Sequence, residues 1–312
     1  MADVVFTDYG DNSSNAELMR RLLSPLTAAR VGQEIQRSGK AIAAQPVSLA
    51  AERFIVHVPP ERPAHGFALV VFVPPWQDAR LPSGWAPVLD RYGVVFVSAA
   101  RSGNDENVVG RREPLALLAA YNIMKQYPID PERIYVAGFS GGSRIALRLA
   151  LGYPDLFRGV MLNAGSDPIG DAQITLPPKE LLSLFQEVTH VIYVTGDRDA
   201  DHMVDAMASI RSMHKWCVFN VDDYVQPRIG HEVADAPALA RVLDGLLKPA
   251  RPDGDKLAAC RSRIDAELEQ KLQQVQSLSA AGRRADANKL LVTIDERFGG
   301  LAAPRSIDLA LK

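Results

Sequence analysis

From about residue 53 onward, short runs of apolar, β-branched residues alternate with stretches of helical periodicity. That alternation constrains the fold more than any other feature. The runs lie at 53–58, 67–73, 93–97, 133–137, 159–162, 190–194 and 216–221. Phe67-Ala68-Leu69-Val70-Val71-Phe72-Val73 is apolar throughout and stops at Pro74-Pro75. Strands apolar on both faces belong in a sheet covered by helices on both sides, which requires parallel pairing and crossover connections. The helical patterns between the runs span 114–127, 141–151, 201–213 and 234–247. In the first, Leu117, Leu118, Tyr121 and Met124 form one stripe, with Pro114 suited to the opening turn. The expected fold class is therefore α/β: a doubly wound, mostly parallel sheet over residues 51–248.

Two segments lie outside the alternation. Residues 1–50 form an N-terminal extension with one amphipathic stretch, 16–36. Beyond a Pro/Gly linker, residues 255–312 carry Leu257, Cys260, Ile264, Leu268, Leu272, Val275 and Leu278 at helical spacing. Gly282 interrupts the series, and Leu290, Leu291, Ile294 and Phe298 resume it. This predicts a C-terminal helical hairpin. Two helices cannot bury their own apolar faces, so the hairpin should dock on the main domain or on a partner. It resembles one tetratricopeptide-type unit, but without a second copy a solenoid is excluded.

Composition removes several function classes. Hydrophobic residues make up 47% of the 312 residues, enough for a sizeable core. Lys+Arg is 35 against Asp+Glu 37, with no basic stripe, so nucleic acid is not an expected partner. No apolar stretch is long enough to cross a bilayer. The start of the chain shows no basic segment followed by an apolar one, which leaves the compartment open between cytoplasmic and, for a chain that has lost a leader, periplasmic or secreted. Cys217 and Cys260 form no CxxC and read as two buried thiols. Paired, they would close a loop worth ~3–4 kcal/mol and imply an exported chain.

The chemistry concentrates at Gly138-Phe139-Ser140-Gly141-Gly142, a G-x-S-x-G between a predicted strand and a predicted helix. Its glycines allow the sharp turn that lifts a serine hydroxyl above a sheet edge, at a helix start that favours negative charge. A serine needs a base, and in this arrangement the partners follow in the order acid, then histidine. Of His190, His202, His214 and His231, the last lies in the loop between the final strand and the final helix, where a base must enter. His202 and His214 bracket a helix and read as solvated or capping groups. The acid should follow the run ending at Val194, where Asp197, Asp199 and Asp201 compete. Asp199 is preferred, with Asp197 fixing the turn and Asp201 capping the helix. A metal site built from Asp199, Asp201, His202 and Asp205 is rejected in favour of capping roles. The oxyanion donors expected are the N–H groups of Gly141 and Trp76, since Pro74 and Pro75 have none. Phe139, Gln77 and Asn104 are candidates to line the substrate site. Arg111 and Arg112 could also line it, but with Asn104 they read better as part of a solvated loop.

The run Asp130-Pro131-Glu132-Arg133-Ile134-Tyr135-Val136, the motif around Ser140 and Tyr153-Pro154-Asp155-Leu156-Phe157-Arg158-Gly159 together resemble the bacterial polyhydroxybutyrate-depolymerase and feruloyl-esterase-like branch of the α/β-hydrolases. The resemblance covers roughly residues 50–248. It implies a cofactor-free Ser140–Asp199–His231 esterase acting on small, aryl or polymeric esters. The departure is Pro74-Pro75, where that branch often has His-Gly. A peptidase or thioesterase with the same triad, or a binding protein on a hydrolase scaffold, is the competing expectation. Only about two dozen residues separate Asn163 from Thr189, too few for a large helical lid.

Overall fold

The computed structural model describes residues 2–39, 41, 43–250 and 252–310. Eight strands form one sheet: β1 (Ala2–Val4), β2 (Phe54–His57), β3 (Phe67–Val73), β4 (Val94–Ala99), β5 (Ile129–Phe139), β6 (Gly159–Asn163), β7 (His190–Gly196) and β8 (Val221–Gln226), in the order β1-β2-β4-β3-β5-β6-β7-β8. β1 pairs antiparallel with β2, and β2 with β4; every later pairing is parallel. The helices are α1 (Asn15–Leu22), α2 (Pro25–Ser38), α3 (Trp85–Tyr92), α4 (Glu113–Gln126), α5 (Gly141–Gly152), α6 (Lys179–Val188), α7 (Ala200–Lys215), α8 (Ala236–Leu246), α9 (Gly254–Ala280), α10 (Arg284–Phe298) and α11 (Arg305–Ala310).

The expected two-sided burial follows from the period-2 alternation of side chains. Leu69, Val71, Val97, Val136, Leu162 and Val191 face one core with α4, α5, α6 and α7. Val70, Phe72, Phe96, Ala137, Met161 and Ile192 face the other, under α3 and α8. The parallel strands all end on one edge, and the loops leaving β3, β4, β5, β7 and β8 there converge on one place.

Several expectations need correction. The amphipathic stretch 16–36 is two helices, because Leu23-Ser24-Pro25 breaks it and Pro25 opens the second. On α4 the buried residues include Leu117 and Leu118, but Tyr121 and Met124 are exposed. The last strand is Val221–Gln226, not 216–221. Residues 216–218 instead close α7: Val218 N–H reaches Met213 O at 2.9 Å and Cys217 takes a left-handed φ of 65°. Their apolarity serves packing, with Trp216 edge-on to Phe298 at 5.6 Å. Cys217 and Cys260 are not free thiols but a disulfide.

The N-terminal segment is not wholly outside the sheet, since its β1 is an edge strand; the rest of it and the C-terminal hairpin are held to the main domain and to each other. Phe6 packs against Phe54 with ring centroids 4.7 Å apart and the rings tilted, and the Asn122 side chain bonds both backbone groups of Asp8. Arg21 forms a fork on Asp155 at 2.6 and 3.0 Å. The hairpin turns at Gly282, whose φ of 76° suits a residue without Cβ. It docks through Arg261 on Gln186, Glu187 and Ser183 of α6, and through Lys179 on Asp265. Asp295 of α10 then accepts from Ser24 Oγ and Leu26 N–H at the start of α2.

The disulfide ties α9 to the end of α7 across a sequence separation of 43. Closing a loop of that size stabilises by about 4 kcal/mol in the chain-entropy account. Cys260→Ser should therefore lower the urea midpoint of unfolding, and dithiothreitol should lower it for the wild type but not for the variant. An unchanged midpoint in both would mean that the two sulfurs do not constrain the unfolded chain.

Candidate active site

Ser140 sits where β5 gives way to α5, and its backbone is strained, with φ 54° and ψ −126°. A non-glycine residue at such a conformation is costly and needs the surroundings to over-determine it. They do. Ser140 N–H is fixed to Asn163 O of the neighbouring strand at 2.9 Å, and Ser143 N–H to Ser140 O at 3.0 Å. A Cβ on Gly142 would lie 2.0 Å from Val73 O, so only glycine lets α5 start this close to the end of β3.

His231 enters from the loop between β8 and α8. Its Nε2 is 3.0 Å from Ser140 Oγ, and its Nδ1 is 2.8 Å from Asp199 Oδ2. Asp199 stands three residues past β7, at the N-cap position of α7, with 8% of its surface exposed. Burial pushes its carboxyl up, but hydrogen bonds from His202 and then His231 more than offset this and hold it below the ordinary carboxylate range. An ionised carboxylate only accepts, so the Nδ1 of His231 carries a proton. In the neutral ring that leaves Nε2 free to accept from the Ser140 hydroxyl.

The competing aspartates do other things. Asp197 accepts from Arg228 N–H at 2.7 Å and so shapes the loop that leads to His231. Asp201 lies in the first turn of α7, exposed; it is not the cap, because the N-cap position belongs to Asp199. His190 bonds Gly245 O and Asp222, away from Ser140, and His214 lies against Phe219. The expectation for His202 was wrong. Far from being solvated, it donates Nδ1–H to Asp199 Oδ1 at 2.8 Å and stacks on His231 with ring centroids 4.2 Å apart. Asp199, His202 and His231 each offer a ligand atom within 4.8 Å of the others, a spacing that a metal ion could use. Both Nδ1 atoms, however, are engaged as donors to the carboxylate.

The loop after β3 lies beside the elbow. Asn104 N–H bonds Pro75 O at 3.0 Å and Arg101 N–H bonds Gln77 O at 2.6 Å, which joins it to the loop after β4. Arg112 is not in a solvated loop: it is buried and donates to Pro74 O and Ser102 O, holding both loops from beneath. Arg111 instead forks onto buried Glu52. The Asn104 carboxamide stands over Gly141, since a Cβ there would meet its Oδ1 at 2.2 Å. The Trp76 ring lies against Phe72 and Phe139, each 6.1 Å away, with Arg80 over its face. Phe139 also lies against His231 at 4.9 Å. Gln77 is exposed, its amide beside Gly103.

Sequence reasoning missed Asn163, which has no motif. Buried at the end of β6, it accepts from Ala234 N–H at 2.7 Å and donates to Val194 O at 3.1 Å and to Glu232 O at 3.4 Å. It thereby pins the segment that follows His231. Trp85 Nε1–H adds a bond to Ala234 O at 2.8 Å.

A G-x-S-x-G elbow after β5, an acid after β7 and a histidine after β8, in that chain order on a mostly parallel sheet, define a known architecture. This is the α/β-hydrolase fold. No family model matches the chain. It is 33% identical over 98 residues to a poly(3-hydroxybutyrate) depolymerase of Ralstonia pickettii, covering 27% of this chain and 20% of that protein. It is 31% identical over 125 residues to poly(3-hydroxyalkanoate) depolymerase C of Paucimonas lemoignei, covering 35% and 30%. The chain thus spans less than a third of the length of these relatives. Among solved hydrolase structures, LpqC, a poly(3-hydroxybutyrate) depolymerase from Bordetella parapertussis, aligns at 20% identity over 67% of this chain and 88% of its own, with a TM-score of 0.45. The S-formylglutathione hydrolase of Staphylococcus aureus aligns at 11% identity over 63% and 93%, with a TM-score of 0.49.

Asn163→Ala would strand the buried Ala234 N–H, a loss of about 1–3 kcal/mol. The expected outcome is a lower urea midpoint together with slower reaction of Ser140 with a fluorophosphonate, because the His231 loop loses its anchor. A destabilised variant that labels at the wild-type rate would separate Asn163 from the site.

Proposed function

We propose that the protein is a serine hydrolase of carboxylic esters, with Ser140 as nucleophile, His231 as general base and acid, and Asp199 as the group that orients His231. The observation that carries this reading is the unbroken line of hydrogen bonds from Ser140 Oγ through His231 to a buried, ionised Asp199. Ser140 Oγ attacks the ester carbonyl carbon while its proton passes to His231 Nε2. The tetrahedral oxyanion is received by the N–H groups of Gly141 and Trp76. The C–O bond to the alcohol then breaks, and the alcohol leaves with the proton from His231 Nε2. Water attacks the acyl-serine, again giving its proton to His231. Collapse releases the carboxylic acid and returns the proton to Ser140. Asp199 remains ionised throughout and stabilises the imidazolium. No step calls for a metal or cofactor.

The substrate class proposed is small, aryl or polymeric esters. One feature supports an open approach: His231 is exposed. The relatives named as poly(3-hydroxybutyrate) and poly(3-hydroxyalkanoate) depolymerases support the polymeric part of that class. Phe139, Gln77 and Asn104 are proposed to line the approach to Ser140. Among the described residues, no helix is long and apolar enough to cross a membrane. The disulfide supports an oxidising compartment, outside the cytosol. We also assign residues 51–248 as the catalytic domain, with 1–50 and 255–312 as braces outside the chemistry.

Wild-type protein should take up one fluorophosphonate per chain, and Ser140→Ala none, with the fold intact because a small change on a half-exposed turn costs little stability. It should cleave aryl esters of graded acyl length in preference to matched amides and thioesters. Labelling that survives Ser140→Ala would refute the nucleophile assignment, and faster turnover of the amide would make the protein a peptidase.

Asp199→Asn should slow labelling by roughly 10²–10⁴-fold, as expected when the base loses its orienting charge. Asp197→Asn should have a much smaller effect. The reverse order would move the acid by two residues.

A further inference from the structure

Most of Asp199's surroundings are explained by its bond to His231, but one of its oxygens is not. Oδ1 accepts from His202 Nδ1 at 2.8 Å, a bond as short as the one from His231 to Oδ2. The two imidazoles are nearly parallel, at 19°, with centroids 4.2 Å apart. His202 lies in the first turn of α7 and His231 in the β8–α8 loop, so one carboxylate ties together two elements remote in sequence.

We propose that His202 is a positioning residue for the triad: its Nδ1–H fixes the plane of the Asp199 carboxylate and takes a share of its charge, which sets how strongly Asp199 holds protonated His231. The inference rests on the hydrolase reading above. A carboxylate bonded on one oxygen only can rotate about its Cβ–Cγ bond, and Oδ2 then swings away from His231. With both oxygens engaged, rotation breaks two charge-assisted hydrogen bonds. The same sharing limits the pull on His231. An undivided carboxylate would stabilise the imidazolium more, and the base would be lost to protonation at a higher pH.

The charged and titratable groups around this pair are few. From α7 itself come exposed Asp201, next to His202 in the first turn, and Asp205, one turn beyond His202 and bound by Arg144 of α5, which also holds Asp167 of the loop after β6. From the β8–α8 loop come His231 and exposed Glu232. From the turn after β7 come Asp199, Asp197, which is committed to Arg228 N–H, and exposed Arg198. Of all these, only Asp199 and His231 touch the His202 ring through a hydrogen bond or stacking contact that defines its position.

Two substitutions isolate the bond from the ring. His202→Phe keeps an aromatic ring against His231 and removes the donor. His202→Asn places an amide N–H where Nδ1–H stood and cannot titrate. The measurement is the second-order rate of fluorophosphonate labelling as a function of pH, with circular dichroism and a thermal midpoint for each variant. For His202→Phe we expect a rate roughly tenfold lower at neutral pH, a fraction of what a general base contributes. The midpoint of its acid limb should move up by about half a pH unit or more, the direction expected when a neighbouring charge acts undivided. His202→Asn should return both the rate and the midpoint close to wild type. A His202→Phe variant with wild-type rate and midpoint would overturn the inference. So would two variants slowed equally with unmoved midpoints, the signature of a merely structural role. Wild-type protein that does not label would sink the hydrolase reading and the inference together, whereas the preceding outcomes sink the inference alone.

Discussion

The buried charge on Asp199 is the interaction on which the site depends. A carboxylate with so little exposure is costly to keep ionised, and burial alone would drive it towards its neutral form. Two imidazole N–H donors reverse that tendency. Once ionised, Asp199 can only accept, which fixes the tautomer of His231 and aims its free nitrogen at Ser140. The direction of the whole hydrogen-bond line therefore follows from the protonation state of one side chain. The flanking structure exists to hold that side chain and its partner loops in place: β7 and the start of α7 for Asp199, Asn163 and Trp85 for the segment after His231, and Arg112 for the two loops beside the elbow.

The second constraint is steric. Ser140 occupies backbone torsions that a residue with a side chain avoids. Its turn is locked by a strand on one side and by glycine-only contacts on the other. The strain lifts the hydroxyl out of the sheet edge, and the close approach of Gly142 to Val73 and Pro74 sets the end of β3 against the elbow. Distant packing sustains this arrangement. The N-terminal segment and the C-terminal hairpin cover the α4, α5 and α6 side of the sheet and meet each other through Asp295, leaving the loop edge open.

What could be read from the sequence was what local pattern controls. Apolar runs placed most of the strands, and the Gly-flanked Ser140 placed the elbow. Local pattern left Asp197, Asp199 and Asp201 in competition, and the preference for Asp199 came from the Gly-x-x-Asp spacing of the enzymes the chain resembles; in the structure Asp199 meets His231, whereas Asp197 accepts from the backbone of the next loop. What could not be read depended on contacts between remote segments. His202 lies at the start of a helix, where a solvated or capping role is the ordinary expectation. Only the fold reveals that its neighbour is a histidine 29 positions later in the numbering. Asn163 carries no motif because its three partners come from two other segments. The apolar run 216–221 misled because burial under the hairpin, not strand pairing, accounts for Trp216 and Val218. The real β8 is an edge strand, half-exposed and rich in acids, with a weaker hydrophobic signal. The pairing of Cys217 with Cys260 likewise needed the docked hairpin to become visible.

The central claim is that Ser140 is a nucleophile whose charge-bearing intermediate is received by backbone N–H groups at this edge of the sheet. A crystal structure of the fluorophosphonate adduct tests it most directly, since the tetrahedral phosphorus mimics that intermediate. The expected adduct has phosphorus bonded to Ser140 Oγ, with its phosphoryl oxygen accepting from the N–H groups of Gly141 and Trp76, and His231 still bonded to Asp199. An adduct on any other residue, or a phosphoryl oxygen turned away from both N–H groups into solvent, would contradict it.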